Sequence, residues 1–165
     1  MAALSAGISA PDFNLPTIKD EKFSLREALA RGPVVAAFFK ISCPVCQYAF
    51  PFLERIYQAH GNRSMTWVGV SQNGKKDTLA FLKEYGVTFP VLLEDPDRFV
   101  VSNAYGLTNV PTIFWIAQDQ TIELASVGWS RQDILEINGR AAAVAGDELV
   151  PVFQPGEQVA DFRAG

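Results

Sequence analysis

The two cysteines of the sequence lie three positions apart, in the segment Cys43-Pro44-Val45-Cys46. Two thiols at this spacing can be oxidised to one disulfide and reduced again, so the pair can carry two electrons. Two cysteines are too few for the disulfide framework of a small secreted protein, and the loop between them is too short to add much stability. The pair therefore predicts local redox chemistry.

The surrounding sequence predicts which thiol reacts first. Cys43 follows an apolar run and precedes a helical pattern, so it falls at or near a helix N-cap. Free N–H groups and the positive end of the helix dipole stabilise a thiolate at that position, which makes Cys43 the predicted nucleophile. Pro44 suits the first helical position. Cys46 lies one turn further on the same face, where it can attack a mixed disulfide at Cys43 and release the product.

A metal site is the competing interpretation of the two cysteines. A structural zinc site needs four ligands, and the remaining imidazole, His60, follows Cys46 by 14 positions along the predicted helix. That spacing corresponds to roughly 21 Å in a helix, too far for a shared metal ion. We therefore expect neither a metal nor another cofactor. His60 is predicted to be a surface residue at the end of the helix, with a catalytic role as the weaker alternative.

The elements that position the dithiol follow from the hydrophobic pattern. The run Val34–Phe39 has no polar alternation, which is typical of a strand covered on both faces. Helices are predicted at 26–31, from 44 to about 60, at 77–85 and at 99–105, and further strands at 65–70, 90–93, 112–116 and 121–126. A last helix starts after Ser130, where Asp133 completes a pattern similar to a capping box. The alternation predicts an α/β sandwich with a mixed sheet.

Length and charge exclude several other functions. A chain of 165 residues is long enough to form one domain core without disulfides or metal. It carries 14 Lys and Arg against 18 Asp and Glu, for a net charge of -4. No overall positive field is present to attract nucleic acid or an anionic membrane surface, so we expect neither partner. No apolar run is long enough to span a membrane, which takes about 18 residues or more.

The segments FFKISCPVCQYAFPFLERI and NVPTIFWI resemble the thioredoxin superfamily, specifically its TlpA-like and redoxin (AhpC-TSA-like) branch. The likeness spans about residues 11–140, and WVGVSQN through FPVLLED fills the place of an extra helix and strand in that branch. The resemblance implies a thioredoxin-like three-layer α/β/α sandwich with a mixed central sheet and a helix-strand insertion between the CxxC helix and a cis-proline. It also implies a thiol-disulfide oxidoreductase that exchanges disulfides with protein substrates.

The same resemblance assigns roles to individual residues. It makes Cys43 the attacking thiolate, Cys46 the resolving thiol and Pro111 the cis-proline that faces them. In similar proteins the backbone before this proline pairs with an extended substrate, so Val110 is the expected substrate contact.

Two positions depart from the family pattern. The buried acid of thioredoxin-like relatives is replaced by Ala37, and the glutamate of TlpA-like reductases is replaced by Ala49. Both usual proton acceptors for the resolving cysteine are therefore missing. We expect deprotonation of Cys46 to depend on solvent or on the departing thiolate.

Rival functions fit the sequence less well. Peroxiredoxins need Thr or Ser three positions before the reactive cysteine, and Lys40 stands there, so a peroxiredoxin-like thiol peroxidase is the weaker alternative. A redoxin module that binds a partner without catalysis is another alternative, although a thiolate at an exposed helix start argues against it. Residues 69–76 are a near miss to a phosphate-binding loop, because Lys76 stands where Mg²⁺ binding needs Ser or Thr.

Residues 1–148 are expected to form the thioredoxin-like domain, and residues 149–165 an extended C-terminal tail. The N-terminal segment lacks the basic and apolar regions of a signal peptide, which predicts a cytoplasmic protein, or a periplasmic or membrane-tethered one if a signal or anchor has been removed. A cytoplasmic dithiol is kept reduced, so the reductase direction is favoured. We expect a monomer whose partners are a disulfide-containing protein substrate and an external electron donor or acceptor.

Overall fold

The computed structural model describes residues 2–165, and its elements follow the predicted alternation of strands and helices. The strands among these residues are β1 (Asn14–Pro16), β2 (Lys22–Ser24), β3 (Val34–Phe39), β4 (Thr66–Ser71), β5 (Val91–Leu93), β6 (Thr112–Ile116), β7 (Ile122–Val127), β8 (Trp129–Ser130) and β9 (Phe162–Arg163). The helices are α1 (Leu25–Leu29), α2 (Pro44–Ile56), α3 (Lys75–Tyr85), α4 (Val100–Ala104) and α5 (Arg131–Ala145). A π-helical turn, Tyr57–Gly61, continues α2.

The central sheet is mixed, with strand order β5-β4-β3-β6-β7. Its middle strand, β3, pairs in parallel with β4 and antiparallel with β6. All six residues of β3 are buried, which explains their unbroken apolar run. Because β3, β4 and β5 are parallel, their carboxyl ends meet at one edge of the sheet. The segment that follows β3 at this edge contains the two cysteines.

Helices cover both faces of the sheet and form three layers. Alternate residues of β3 belong to two separate hydrophobic clusters, with Val35 and Phe39 on one side and Val34 and Phe38 on the other. The first cluster includes buried side chains of α2, α3 and α5, and the second includes those of α1 and α4. The expected α/β/α sandwich is confirmed. The elements β4, α3, β5 and α4 all lie between α2 and β6.

The prediction for His60 is wrong. Its side chain is fully buried, and its Nδ1 lies 3.2 Å from Asp147 Oδ2. Its Nε2 accepts a hydrogen bond of 3.1 Å from the Val150 N–H, which leaves Nδ1 to donate to Asp147 in the neutral ring. The chain that follows α5 covers the end of α2, so this helix end does not face solvent.

The segment that follows α5 folds back over the sandwich. Val152 is buried, and β9 near residue 165 pairs antiparallel with β8. Residues 149–165 therefore contact the surface that carries α2. None of the helices within residues 2–165 is long and apolar enough to cross a membrane.

Candidate active site

Cys43 is the N-cap residue of α2. Its backbone is extended, with φ of -84° and ψ of 113°, and its Sγ accepts a hydrogen bond of 3.2 Å from the Cys46 N–H. A sulfur in this position receives one of the N–H groups that the first helical turn leaves unpaired. Pro44 follows at the first helical position, where it lacks only an N–H that has no partner in the helix. Local helix geometry thus places the half-buried Cys43 sulfur where a thiolate is stabilised.

The carbonyl of Val110 is the second partner of the Cys43 sulfur. The thiol donates to this oxygen over 3.3 Å. A thiol can make this hydrogen bond and a thiolate cannot, because the thiolate has no proton to donate. The Cys43 sulfur therefore donates one hydrogen bond, to the Val110 carbonyl, and accepts another, from the Cys46 N–H.

Cys46 lies one turn behind Cys43 and has no exposed surface. Burial raises the pKa of the Cys46 thiol well above its usual value, and its hydrogen bond with Cys43 raises it further, whereas a backbone hydrogen bond with Lys40 lowers it. Both cysteines are in the reduced form. At neutral pH the Cys46 side chain is therefore a protonated thiol, which must lose its proton before it can attack a disulfide.

Apolar side chains surround Ala37 and Ala49, the two positions at which the family pattern has an acid. Ala37 and Ala49 are both buried and belong to the same hydrophobic cluster as Cys46. The pKa of Cys46 is shifted by burial, by Cys43 and by backbone hydrogen bonds, and no carboxylate of the described residues is among these causes. The proton that leaves Cys46 therefore passes to another acceptor, such as solvent or a departing thiolate.

Pro111 immediately precedes β6 beside the dithiol, and the peptide bond between Val110 and Pro111 is cis, as the resemblance implies. The Pro111 carbonyl accepts a hydrogen bond of 2.8 Å from the Gly128 N–H, and Val110 is half-buried. The structure thus brings Val110 and Pro111 to Cys43 from a loop 67 residues away in sequence.

A shallow cavity of about 400 Å³ opens beside Cys43. It is lined by Lys40, Ser42, Cys43, Gln72, Leu107, Thr108, Asn109, Val110 and Gly165. Lys40 and Ser42 are exposed, so the rim is polar and open to a partner. The lining includes the C-terminal segment, which the sequence analysis did not place at the site.

Asn73, which lies in the near miss to a phosphate-binding loop, is a positioning residue that the sequence did not reveal. Its Oδ1 accepts a hydrogen bond of 2.9 Å from the Ile41 N–H, and Gln47 Nε2 donates to the Ile41 carbonyl over 2.9 Å. Both backbone groups of Ile41 are therefore held, which fixes the short loop between β3 and Cys43. The parallel pairing of β3 and β4 was the sequence signal available, because it brings Asn73 to the same sheet edge as Ile41.

The described residues contain no group of three or more His, Cys, Asp or Glu side chains placed to hold a metal ion. His60 lies in the π-helical turn after α2 and contacts Asp147, whereas both cysteines lie in the first turn of α2. The structure thus does not bring together the three candidate ligands considered from the sequence.

Known proteins resemble this chain in sequence. The family model described as the AhpC/TSA family matches residues 6–125. Thiol-disulfide oxidoreductase ResA of Halalkalibacterium halodurans is 27% identical over 132 residues, which cover 79% of this chain and 73% of that protein. ResA of Bacillus subtilis is 32% identical over 115 residues, which cover 69% of this chain and 63% of that protein.

A solved structure supports the same relationship. The thiol:disulfide interchange protein of the thioredoxin family from Chlorobium tepidum superposes with a TM-score of 0.67 at 25% identity, covering 86% of this chain and 99% of that one. The likeness therefore extends over most of this chain and nearly all of that one.

Proposed function

The chain belongs to the AhpC/TSA family, as a TlpA-like redoxin of the thioredoxin superfamily, and on that premise we propose that it reduces disulfides of protein substrates through Cys43 and Cys46. Its enzyme class is thiol-disulfide oxidoreductase. The observation that carries the proposal is the placement of Cys43, whose sulfur caps α2, lines an open cavity and contacts the Val110 carbonyl.

The proposed reaction has two exchange steps. The Cys43 thiolate attacks one sulfur of the substrate disulfide, a mixed disulfide forms, and the other substrate sulfur leaves as a thiolate that takes up a proton. Cys46 then loses its proton and attacks the Cys43 sulfur, which forms the Cys43–Cys46 disulfide and releases the second substrate thiol. The substrate gains two electrons and two protons, and the dithiol loses them.

Val110 links substrate binding to activation of Cys43 in this proposal. An extended substrate that adds a strand beside Val110 would donate a backbone N–H to the carbonyl that the Cys43 thiol now occupies. The thiol would lose its acceptor, while the Cys46 N–H would still stabilise the thiolate. Substrate docking would thereby favour the reactive form of Cys43.

Regeneration of the dithiol requires an external dithiol donor, because the sequence has no third cysteine. The reductase direction follows from the predicted cytoplasmic location, where thiols are kept reduced. In an oxidising compartment the same site would need a dedicated reducing partner to act as a reductase. The compartment and the monomeric state both remain predictions.

Reduction of insulin disulfides with dithiothreitol as electron donor tests the proposed function. We expect turnover by the wild-type chain and none by Cys43→Ser. The Cys46→Ser variant should accumulate mixed disulfides through Cys43, because the resolving thiol is absent. Adducts on Cys43→Ser instead would reverse the two assigned roles, and no insulin reduction by the wild type would overturn the reductase proposal.

A thiol peroxidase is the second candidate, because the AhpC/TSA match covers the opening residues as well as the dithiol. Lys40, three positions before Cys43, is exposed and cannot orient a peroxide as a Thr or Ser hydroxyl would. Peroxide consumption measured beside insulin reduction separates the two activities. Inactivity in both assays would favour a module that binds an extended partner without catalysis.

A further inference from the structure

The last residues of the described chain are attached to α2 and β8 by specific contacts. Glu157 forms a two-pronged ion pair with Arg55, with distances of 2.7 and 2.8 Å. Further along, the Ala160 N–H donates to the Tyr48 hydroxyl over 3.1 Å, and Trp129 Nε1 donates to the Ala160 carbonyl over 2.7 Å. The segment is therefore held in one position on the face of the molecule that contains Cys43.

Beyond Ala160 the segment becomes a strand that runs toward the dithiol. Phe162 and Arg163 pair antiparallel with β8, and the Arg131 N–H donates to the Asp161 carbonyl over 2.9 Å. Gly165 lies so close to the Val110 carbonyl that a Cβ at this position would collide with the oxygen. Its own carbonyl accepts a hydrogen bond of 3.0 Å from Asn109 Nδ2. The strand thus ends against the backbone group that contacts Cys43.

We propose that residues 160–165, here called the tail strand, occupy the position that an extended protein substrate takes beside Val110, and that substrate binds by displacing them. This inference rests on the proposed function, because it names how the substrate of that same site gains access. Strand addition requires a free backbone edge, and the edge formed by Gly128, β8 and Val110 is already covered by the tail strand.

Ala160 is held by its hydrogen bonds with Tyr48 and Trp129, whereas the residues of the tail strand that follow it are held weakly enough to be exchanged. Residues 161–165 are all exposed, and the Phe162 side chain keeps 64% of its surface open to solvent. Its ladder with β8 is two residues long. Segments that bury little apolar surface open locally at a small free-energy cost. Glu157 and the buried Val152 precede the tail strand, so it can detach while the chain before it stays attached.

The tail strand also indicates which substrates fit this edge. The guanidinium of Arg163 lies 4.8 Å from the centre of the Tyr48 ring, an attractive cation–π contact. Two positions later, Gly165 brings no side chain to the Val110 carbonyl. The preferred substrate segment is therefore extended, with a basic residue over Tyr48 and a small residue two positions further on. The net charge of -4 also favours a basic partner.

Gly165→Val tests the inference, because its side chain cannot fit against the Val110 carbonyl and must displace the end of the tail strand. We expect kcat/KM for insulin reduction to rise about threefold to tenfold, since apparent affinity increases with the fraction of molecules competent to bind. Reduction of free cystine, which is too small to need the strand edge, measures any direct effect of the substitution on the cavity beside Cys43, and the rise for insulin is expected to exceed any change for cystine. Gly139→Val is the matched control, because a Cβ there meets no neighbouring atom.

The outcomes separate this inference from the proposed function. Wild-type kcat/KM for insulin in Gly165→Val, with both disulfides reduced, would overturn the displacement proposal alone. A parallel rise for insulin and cystine would also overturn it, because the edge would then not discriminate by substrate size. Failure of the wild type and every variant to reduce either disulfide would instead overturn the proposed function.

Hydrogen exchange gives a second, independent readout. The Cys46→Ser variant is trapped as a mixed disulfide when its Cys43 thiolate attacks one disulfide of an unfolded protein substrate and the other substrate sulfur leaves as a thiolate. Its amide exchange is then compared with that of the free variant. We expect faster exchange in residues 160–165 and at the Arg131 amide, which donates to Asp161. Unchanged or slower exchange at these amides in the mixed disulfide would show that the tail strand stays in place and would contradict displacement.

Discussion

The two ends of α2 differ in how many hydrogen-bond partners their buried polar side chains have. At its start Cys46 is buried among apolar side chains, and no carboxylate of the described residues is among the groups that shift its pKa. In its last turns the buried Glu54 accepts hydrogen bonds from both the backbone and the hydroxyl of Thr88, and also from the Phe89 N–H. His60, in the turn that follows, has partners on both ring nitrogens.

The difference separates reactivity from stability along a single helix. Buried groups with all hydrogen bonds satisfied hold neighbouring segments in place, because removing one partner leaves the other unpaired in an apolar environment. A buried thiol without an acid beside it adds little to such a network and remains able to change its protonation and bonding. Substitutions at the two ends should therefore alter different measured quantities.

Cys43→Ser should have the largest effect. We expect insulin reduction to fall by about a thousandfold or more, because the nucleophile that forms the mixed disulfide is removed. The free energy of unfolding should change little, since the hydroxyl can still cap α2. Turnover is measured with dithiothreitol as donor, and stability by urea unfolding under reducing conditions. A Cys43→Ser variant that still reduces insulin but unfolds at lower urea concentration would show that Cys43 stabilises the fold and is not the nucleophile.

Glu54→Ala should produce the reverse result. The change leaves the Thr88 hydroxyl and two backbone N–H groups without their acceptor, which should reduce the free energy of unfolding by about 3 kcal/mol. Insulin reduction per folded molecule should match the wild type. Glu136→Ala, on an exposed face of α5, is the control and should change stability by less than about 0.5 kcal/mol. A large loss of turnover in folded Glu54→Ala would show that the two helix ends are coupled.

The resolving step should depend on pH. Burial raises the pKa of Cys46, so across the neutral range only a small fraction is thiolate. That fraction, and with it the rate at which Cys46 releases a small thiol from a mixed disulfide on Cys43, should rise about tenfold per pH unit. Rapid mixing between pH 6 and pH 8 measures this release. A flat profile would mean that a group outside the apolar cluster acts as an efficient base.

Substitution in the Arg55–Glu157 ion pair, which attaches the C-terminal segment to α2, should have the smallest effect. The hydrogen-bonded Arg55 guanidinium, with a contribution from the Gln154 N–H, lowers the pKa of Glu157 from 4.5 to about 2. This pair therefore stabilises the folded segment fully above about pH 4.5 and loses its effect as pH falls through about 2.

Glu157→Gln should accordingly speed amide exchange in residues 157–165 about twofold to fivefold at pH 6, and the variant and wild type should converge near pH 2. Comparing the two proteins at each pH cancels the intrinsic exchange rates. Glu136→Gln, which loses an exposed ion pair with Arg140 on α5, is the control and should leave this segment unchanged. A difference that persists unchanged at pH 2 would exclude the carboxylate as its cause.

Local sequence patterns predicted the part of the site that lies on one continuous segment, from β3 to the start of α2. The bounds of β3 were predicted to the residue, because six apolar residues are bordered by Gly32-Pro33 and Lys40. The start of α2 followed from Cys43 and Pro44, whose N-cap and first-turn preferences act within a few residues.

Features that depend on distant segments were missed or wrongly predicted. His60 was expected at the surface, but Asp147 and Val150, which cover it, come 87 and 90 residues later. The short strands β8 and β9 carry no periodic signal, because two residues are too few to show alternation. The contact between Gly165 and the Val110 carbonyl also depends on tertiary packing that no local pattern encodes.

The 67 residues between Cys43 and Val110 have a consequence for biosynthesis. At roughly 5–20 residues per second, the dithiol emerges from the ribosome about 3–13 s before the carbonyl that contacts it. The tail strand is translated later still. During this interval the two thiols lack part of their native surroundings, because β6 has not yet joined β3.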